Sequence, residues 1–388
     1  MSLTSRTFPS PVTEAYRWLD ARAPNDLPLL NVAQAAPADP PPDAMRAHMA
    51  DLVLTDDAAH KYTGNWGLRP VREALADTTA RLYGGAVSAD QVGLTSGCNQ
   101  AFVAALASFA EPGDEVILPV PWYFNHAMWC DMAGVTKVPL RCGPDMLPDL
   151  SEAASLITSR TRAIVLISPN NPTGAEYPAD LLAGFRDLCR AHGIHLILDE
   201  TYRDFLSTPG APHDLFTDPD WDEVLIHLYS FSKSFHLTGH RTGALLTSPA
   251  RLEDAAKFID TVTICPTPLG QKAALYGLTE MTQWLAGERA LILDRRATVA
   301  RLMPRIEARG WQLAGLGGYF AYLRHPFATD AATVARHLLD THAILCLPGT
   351  MFAPEGDDSA RQHLRVAFAN ADAEGLEDLF ERLARVEL

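Results

Sequence analysis

Between residues 88 and 247, short and nearly unbroken aliphatic runs at 115–119, 163–168, 195–199, 224–230 and 243–247 alternate with stretches of helical spacing. A strand apolar on both faces, such as Ile164-Val165-Leu166-Ile167, must be covered on both sides. Crossover helices between parallel strands provide that cover. Helical spacing at 99–109 and 179–192, where Gly193 stops the second stretch, predicts two such helices. The chain is therefore expected to be α/β, built on a mostly parallel sheet flanked by helices.

At 388 residues the chain exceeds the roughly 250–300 residues that a single core usually serves, so a large and a smaller domain are expected. The first 45 residues are proline-rich, culminating in Pro40-Pro41-Pro42, and read as an extended arm rather than packed structure, contributing in part to the smaller domain. Residues 46–285 form the large domain; residues 286–388 form the small one, entered through a long charged helix at 284–309 and then Gly315-Leu316-Gly317-Gly318-Tyr319-Phe320. A net charge of -15, with no basic run against it, argues against nucleic acid or an anionic membrane as partner. The six cysteines fall at neither Cys-x-x-Cys nor zinc-ligand spacing, so no metal site and no disulfides are expected. Residues 1–11 lack the apolar core of a signal peptide, and no apolar run reaches the roughly 20 residues of a membrane span. The expectation is a cytoplasmic protein.

Within residues 224–237 Lys233 carries the sole formal charge. Most lysines snorkel to the surface. One at the end of a buried strand is desolvated; its pKa falls and its amine becomes a nucleophile for carbonyls. Asp199 closes the run His195-Leu196-Ile197-Leu198 and delivers a carboxylate to the strand's C-terminal edge, where ligands of open α/β sheets gather. A helix cap or turn is the plainer reading; partial burial would call for a cation, such as a protonated pyridine nitrogen. Thr95-Ser96-Gly97-Cys98 opens a helix with small residues, so the N–H groups of Gly97 and Cys98 are expected to point outward as an anion site, although Ser-Gly is also ordinary capping. Asn171, in the turn Ser168-Pro169-Asn170-Asn171-Pro172-Thr173-Gly174, can be fixed beside a ligand or simply belong to a loop. Arg365 falls on the face opposite Leu364, Val366 and Phe368 of a period-2 strand, as a surface arginine would.

Together the 168–174 turn, Asp199-Glu200-Thr201-Tyr202, Ser230-Phe231-Ser232-Lys233 and Arg241, eight residues after the lysine, resemble the class I/II aminotransferases of the aspartate aminotransferase superfamily in identity, order and spacing. The likeness runs from about Asn31 to the C-terminus, through Lys61-Tyr62-Thr63-Gly64-Asn65-Trp66, Gly317-Gly318-Tyr319-Phe320 and Pro348-Gly349-Thr350-Met351-Phe352. The resemblance implies the fold-type I PLP-transferase architecture: a large pyridoxal 5'-phosphate (PLP) domain with a mostly parallel seven-stranded sheet, plus a smaller α+β domain. It also implies that Lys233 carries PLP as a Schiff base and Asp199 pairs with the pyridine nitrogen, while Asn171 and Tyr202 bond its phenolic oxygen. Ser96, Gly97, Cys98, Ser230, Ser232 and Arg241 would hold the phosphate, joined by Tyr62 from the second subunit of a homodimer with shared active sites. An aromatic ring stacks on the cofactor in this family. Trp122 and Tyr123 are the candidates and alignment favours Tyr123, leaving Trp122 on the substrate side. Arg365 resembles the arginine that grips the substrate's α-carboxylate, with Asn171 beside it.

Two positions depart from that pattern, both expected on the substrate side: His126 stands where many relatives have tyrosine, and Asn31-Val32-Ala33-Gln34-Ala35-Ala36-Pro37 lacks the usual glycine before its proline. The expected activity is transfer of an amino group from an L-amino acid to a 2-oxo acid by a ping-pong mechanism. A PLP-dependent lyase acting at Cβ or Cγ uses the same residues and is the alternative. A transcription regulator on this fold would need a basic DNA-binding segment of about 60 residues, which the short arm before Asn31 does not supply. Thr261-Val262-Thr263-Ile264-Cys265-Pro266-Thr267-Pro268, which could approach the partner's site, has no lysine or arginine, whereas Tyr16, Trp18, Trp66, Trp122 and Tyr123 are rings close at hand. A neutral, large or aromatic donor side chain is therefore expected.

Overall fold

The computed structural model describes residues 2–23 and 26–388. A seven-stranded sheet runs in the order Val92–Thr95, Gly243–Leu246, Leu225–Ser230, His195–Asp199, Thr161–Ile167, Glu115–Val120, Thr136–Arg141. Neighbours are parallel except Gly243–Leu246, which is antiparallel to both strands beside it. Side chains alternate across the sheet. Leu196 and Leu198 join a core on one face with Leu166 and Phe185, the latter from the helix Ala179–His192. Ile197 joins the other face with Val165 and with Ala101 and Phe102 of the helix Cys98–Ala107. Asp199 has the parity of Ile197, so its strand aims the carboxylate toward the start of that second helix.

A second core gathers around a four-stranded antiparallel sheet, ordered Leu347–Pro348, His363–Val366, Phe320–Arg324, Gln312–Gly317, with the helices Thr282–Leu302, Ala331–His342 and Ala373–Leu383 packed on it. The long helix expected over 284–309 is shorter. It stops at Leu302, and Pro304 opens a separate turn, Pro304–Glu307, because proline has no N–H to continue the ladder.

The N-terminal segment is not the unpacked extended arm expected of it. Residues Pro11–Ala21 form a helix whose Val12, Ala15, Tyr16 and Leu19 recur at helical spacing and pack against Leu339, Leu345, Leu347 and Phe352. Proline misled here because Pro11 sits at the first turn, where its missing N–H costs nothing. Farther on, Leu30–Asn31 pairs in parallel with Ile344–Leu345, and Val32 enters the second core. Among the described residues no helix is long and apolar enough to cross a membrane.

Candidate active site

The C-terminal ends of the parallel strands open onto a cavity of about 310 Å³. Asp199 is in register with Ile167 on one side and Leu228 on the other. The loop bearing Asn171 and the turn bearing Lys233 therefore emerge beside it, and all three line the cavity. Lys233 lies in the single turn Phe231–Ser234, and its Nζ donates to the Ala35 carbonyl at 2.6 Å. Burial, followed by the positive charges of Arg241 and Arg365, lowers its pKa to about 8.

Asp199 is 4% exposed, and its Oδ1 accepts from the Thr201 N–H at 3.0 Å. Burial raises its pKa, against the opposing hydrogen bonds of Thr201 and Cys98. Among the described residues its one ion-pair neighbour is His126, and burial lowers that ring's pKa to about 3. The carboxylate therefore has no cation to compensate it.

Cationic and hydroxyl groups stand on the other flank. Arg241 Nη1 donates to the Thr238 carbonyl at 2.9 Å and to Ser232 Oγ at 3.5 Å, and Ser230 Oγ accepts from the Ser232 N–H at 3.2 Å. The guanidinium rests on Gly97, where a Cβ would come within 2.2 Å of Nη2 and where φ is +87°. Beside it the helix Cys98–Ala107 begins, presenting the positive end of its dipole and first-turn N–H groups without helical acceptors.

Arg365 is 2% exposed. Its Nη1 donates to Asn171 Oδ1 at 2.9 Å, its Nη2 donates to the Ala33 carbonyl, and its Nε has no partner among the described residues. Phe320 and Phe352 sandwich the guanidinium at 5.1 and 4.9 Å. Burial lowers its pKa to about 10, which leaves it cationic at neutrality. Tyr202 packs on Tyr319 and Phe320 at 5.3 and 5.1 Å, and burial pushes its hydroxyl pKa well up, so it remains a donor. Tyr123 turns its ring to the cavity and donates to Asn99 Oδ1 at 3.3 Å.

The arrangement therefore joins a weakly basic buried amine, an uncompensated carboxylate, an arginine and serines at a helix N-terminus, and a second arginine packed against two phenyl rings. Residues 28–383 match the model of the family "Aminotransferase class I and II". The chain belongs to that family of aminotransferases. It is 30% identical over 341 residues to the aspartate/prephenate aminotransferase of Thermus thermophilus, covering 84% of this chain and 83% of that one. It is 31% identical over 346 residues to the arginine–pyruvate transaminase of Pseudomonas aeruginosa, covering 83% and 81%. Among solved structures, the Thermus thermophilus aspartate aminotransferase with maleate superposes at a TM-score of 0.89, with 25% identity over 99% of this chain and 98% of that one.

In this aminotransferase three of the predicted residues, Ser96, Gly97 and Trp122, stand off the cavity wall; Tyr62, expected to reach the site of a second subunit, stands apart from its own chain's cavity, and the others line it. The Gly97 N–H, expected to point outward, instead donates to the Thr95 carbonyl at 2.8 Å, and the Ser96 N–H donates to Gln100 Oε1 at 2.7 Å. Trp122 is not on the substrate side: neighbouring residues of an extended segment point opposite ways, so Tyr123 takes the cavity and Trp122 faces Lys137, 5.2 Å away, beside a separate hollow. Tyr62 is 79% exposed. Tyr16, Trp18 and Trp66 do not line the cavity either.

His126 does not line this cavity either; it borders an adjoining hollow with Asn99 and Asn125. It is 2% exposed on the helix Phe124–Ala133, stacked on Phe102 behind Asp199. Sequence reasoning missed the Ala35 carbonyl and the Thr201 amide, because backbone groups leave no compositional trace. It also missed Asn99 and Asn125, which line the cavity with side chains that read as ordinary surface amides, whereas Gln34 belongs to the segment 31–37 expected on the substrate side.

Proposed function

We propose that this aminotransferase carries PLP as a Schiff base on Lys233 and moves an amino group from a neutral L-amino acid to a 2-oxo acid in a ping-pong cycle, working as a homodimer with shared active sites. One observation carries the reading: around one cavity stand a buried amine with its pKa lowered to about 8, a buried carboxylate with no cationic side chain paired to it among the described residues, and a cluster of arginine, serines and helix amides that presents positive charge. The aldehyde, pyridine nitrogen and phosphate of PLP answer those three needs in one molecule. The close approach of Arg241 to Gly97, which a Cβ would block, supports the same reading.

Lys233 would hold the aldehyde carbon, and Asp199 would keep a proton on the ring nitrogen. Asn171 and Tyr202 would donate to the phenolic oxygen, and Tyr123 would stack on the ring. Ser230, Ser232, Arg241 and the Cys98 amide would hold the phosphate, with the partner subunit's Tyr62. When bound, the cofactor supplies an electron sink for the carbanion at the substrate's Cα. Once the donor's amino group has taken its place on the aldehyde carbon, Lys233 Nζ would be a free amine, partly unprotonated near neutrality, able to take the Cα proton as general base and give one back as general acid. Arg365 orients the α-carboxylate, held by Asn171 and shielded from water by Phe320 and Phe352. Lys233, Arg241 and Arg365 are the only cations among the described lining residues, which supports a neutral donor.

The test incubates purified, PLP-loaded protein with an amino-acid panel and 2-oxoglutarate or pyruvate, measuring glutamate or alanine against ammonia. Amino transfer is expected. Ammonia release without glutamate or alanine would establish the lyase instead.

A further inference from the structure

We infer that the preferred amino donor ends in a carboxamide, recognised by Asn99, Asn125 and Gln34; this deepens, and rests on, the aminotransferase reading proposed above. These three side chains, with Ser10, line the same cavity as Lys233 and Arg365. Ser10, Asn99 and Asn125 also line an adjoining hollow of about 240 Å³, so they form the neck that separates the two spaces. Beyond the neck the hollow is mostly apolar, lined by Phe102, Val103, Met128, Trp129 and Met132, with the neutral ring of His126 as its one titratable side chain. A donor held by its α-carboxylate on Arg365 would direct its side chain either to the amides or past them.

The hydrogen-bonding state of the neck favours the amides. Asn99 Oδ1 is occupied by the Tyr123 hydroxyl at 3.3 Å, which leaves its NH₂ to donate. Gln34 Oε1 is occupied by the Tyr16 hydroxyl at 3.4 Å, itself held by Asn31 Nδ2 at 3.1 Å, which again leaves an NH₂. Ser10 precedes the helix Pro11–Ala21 without spending its hydroxyl on a cap. Asn125 makes no side-chain hydrogen bond to any described residue, so it offers both a donor and an acceptor. Free donors together with a free acceptor, none of them charged, complement a carboxamide's C=O and NH₂ at once. A carboxylate would find donors but no compensating charge, and an apolar tip would leave the amides unpaired. Sites built to hydrogen-bond a substrate group reject its apolar isostere far more strongly than an apolar pocket rejects a polar one.

Isosteric donors test this directly. With the PLP-loaded full chain, kcat/KM is measured for glutamine, glutamate and methionine, and for asparagine against aspartate, with one 2-oxo acid throughout. One carboxamide donor is expected to exceed both its own carboxylate isostere and methionine by at least about tenfold. In Asn125→Leu the glutamine-to-methionine ratio should fall by about fivefold, the weight of one ordinary hydrogen bond; the ratio is taken within one protein, so it does not depend on yield or stability. Transfer from methionine, glutamate or aspartate at or above the carboxamides overturns the inference and leaves the aminotransferase reading standing. Absence of transfer from every amino acid of a wide panel removes the aminotransferase reading itself.

Discussion

His126 Nε2 lies 3.6 Å from Asp199 Oδ2, with the imidazole flat against Phe102 at a centroid distance of 3.9 Å. Burial holds its pKa at about 3, so it shields the carboxylate from water without neutralising it. The unfolded chain takes up a proton on this ring near its ordinary 6.5, and the folded chain does so only near 3. The stability this contributes is present above pH 6.5 and drains as pH falls toward 3. Urea unfolding of wild type and His126→Phe at pH 7 and 5 should differ in pH dependence by about 2 kcal/mol, the integral of one proton over that window. Equal pH dependence in the two proteins would show that the ring titrates normally.

Lys233 should be the labelled lysine. Borohydride reduction of the PLP-loaded protein followed by peptide mapping is expected to place the pyridoxyl group there, and a label on Lys61 or Lys257 would refute the assignment. Because its pKa is lowered from 10.5 to about 8, the charged form is lost as pH rises through 8. The rate of PLP incorporation into cofactor-free protein should therefore rise with a midpoint near 8 rather than 10.5.

Asp199→Asn should still retain PLP through the phosphate cradle and Lys233 but lose roughly 10²-fold or more in kcat, as when a preorganised charge is removed from a reacting centre. The loss should fall on kcat rather than KM, read from steady-state kinetics. A variant with near wild-type kcat would make Asp199 a structural carboxylate whose bond to the Thr201 amide is its whole function.

Arg365→Lys keeps the charge but loses the planar fork that bonds Asn171 and the Ala33 carbonyl between two phenyl rings. One charged hydrogen bond lost is about 1.5–3 kcal/mol, so kcat/KM should fall about 10- to 150-fold. The effect should be the same for donors with different side chains. A loss confined to one side-chain class would move Arg365 to the side-chain end of the site.

The large sheet, Lys233, Asp199 and the turn at Asn171 were legible in the sequence for a local reason. A strand buried on both faces must be written as an aliphatic run, and a charged residue set at the end of such a run is conspicuous. The helix Ala179–His192 was equally legible, since its periodicity ends at Gly193, which adopts φ +63° as a left-handed cap. What the tertiary structure alone decided involves partners far apart along the chain. The amine of Lys233 meets the Ala35 carbonyl 198 residues away, and Arg365 meets Ala33 across 332 residues. His126 was expected on the substrate side because it stands where many members of the resembled family have a tyrosine, yet the pitch of its helix rotates it behind Asp199. The Pro11–Ala21 helix has little reason to form alone; it gains its order from Leu339, Leu345 and Phe352 of the C-terminal part. Local patterns determine which elements form and which residues reach their ends, while the faces that meet across the cavity are set by packing between segments that no short window of sequence contains.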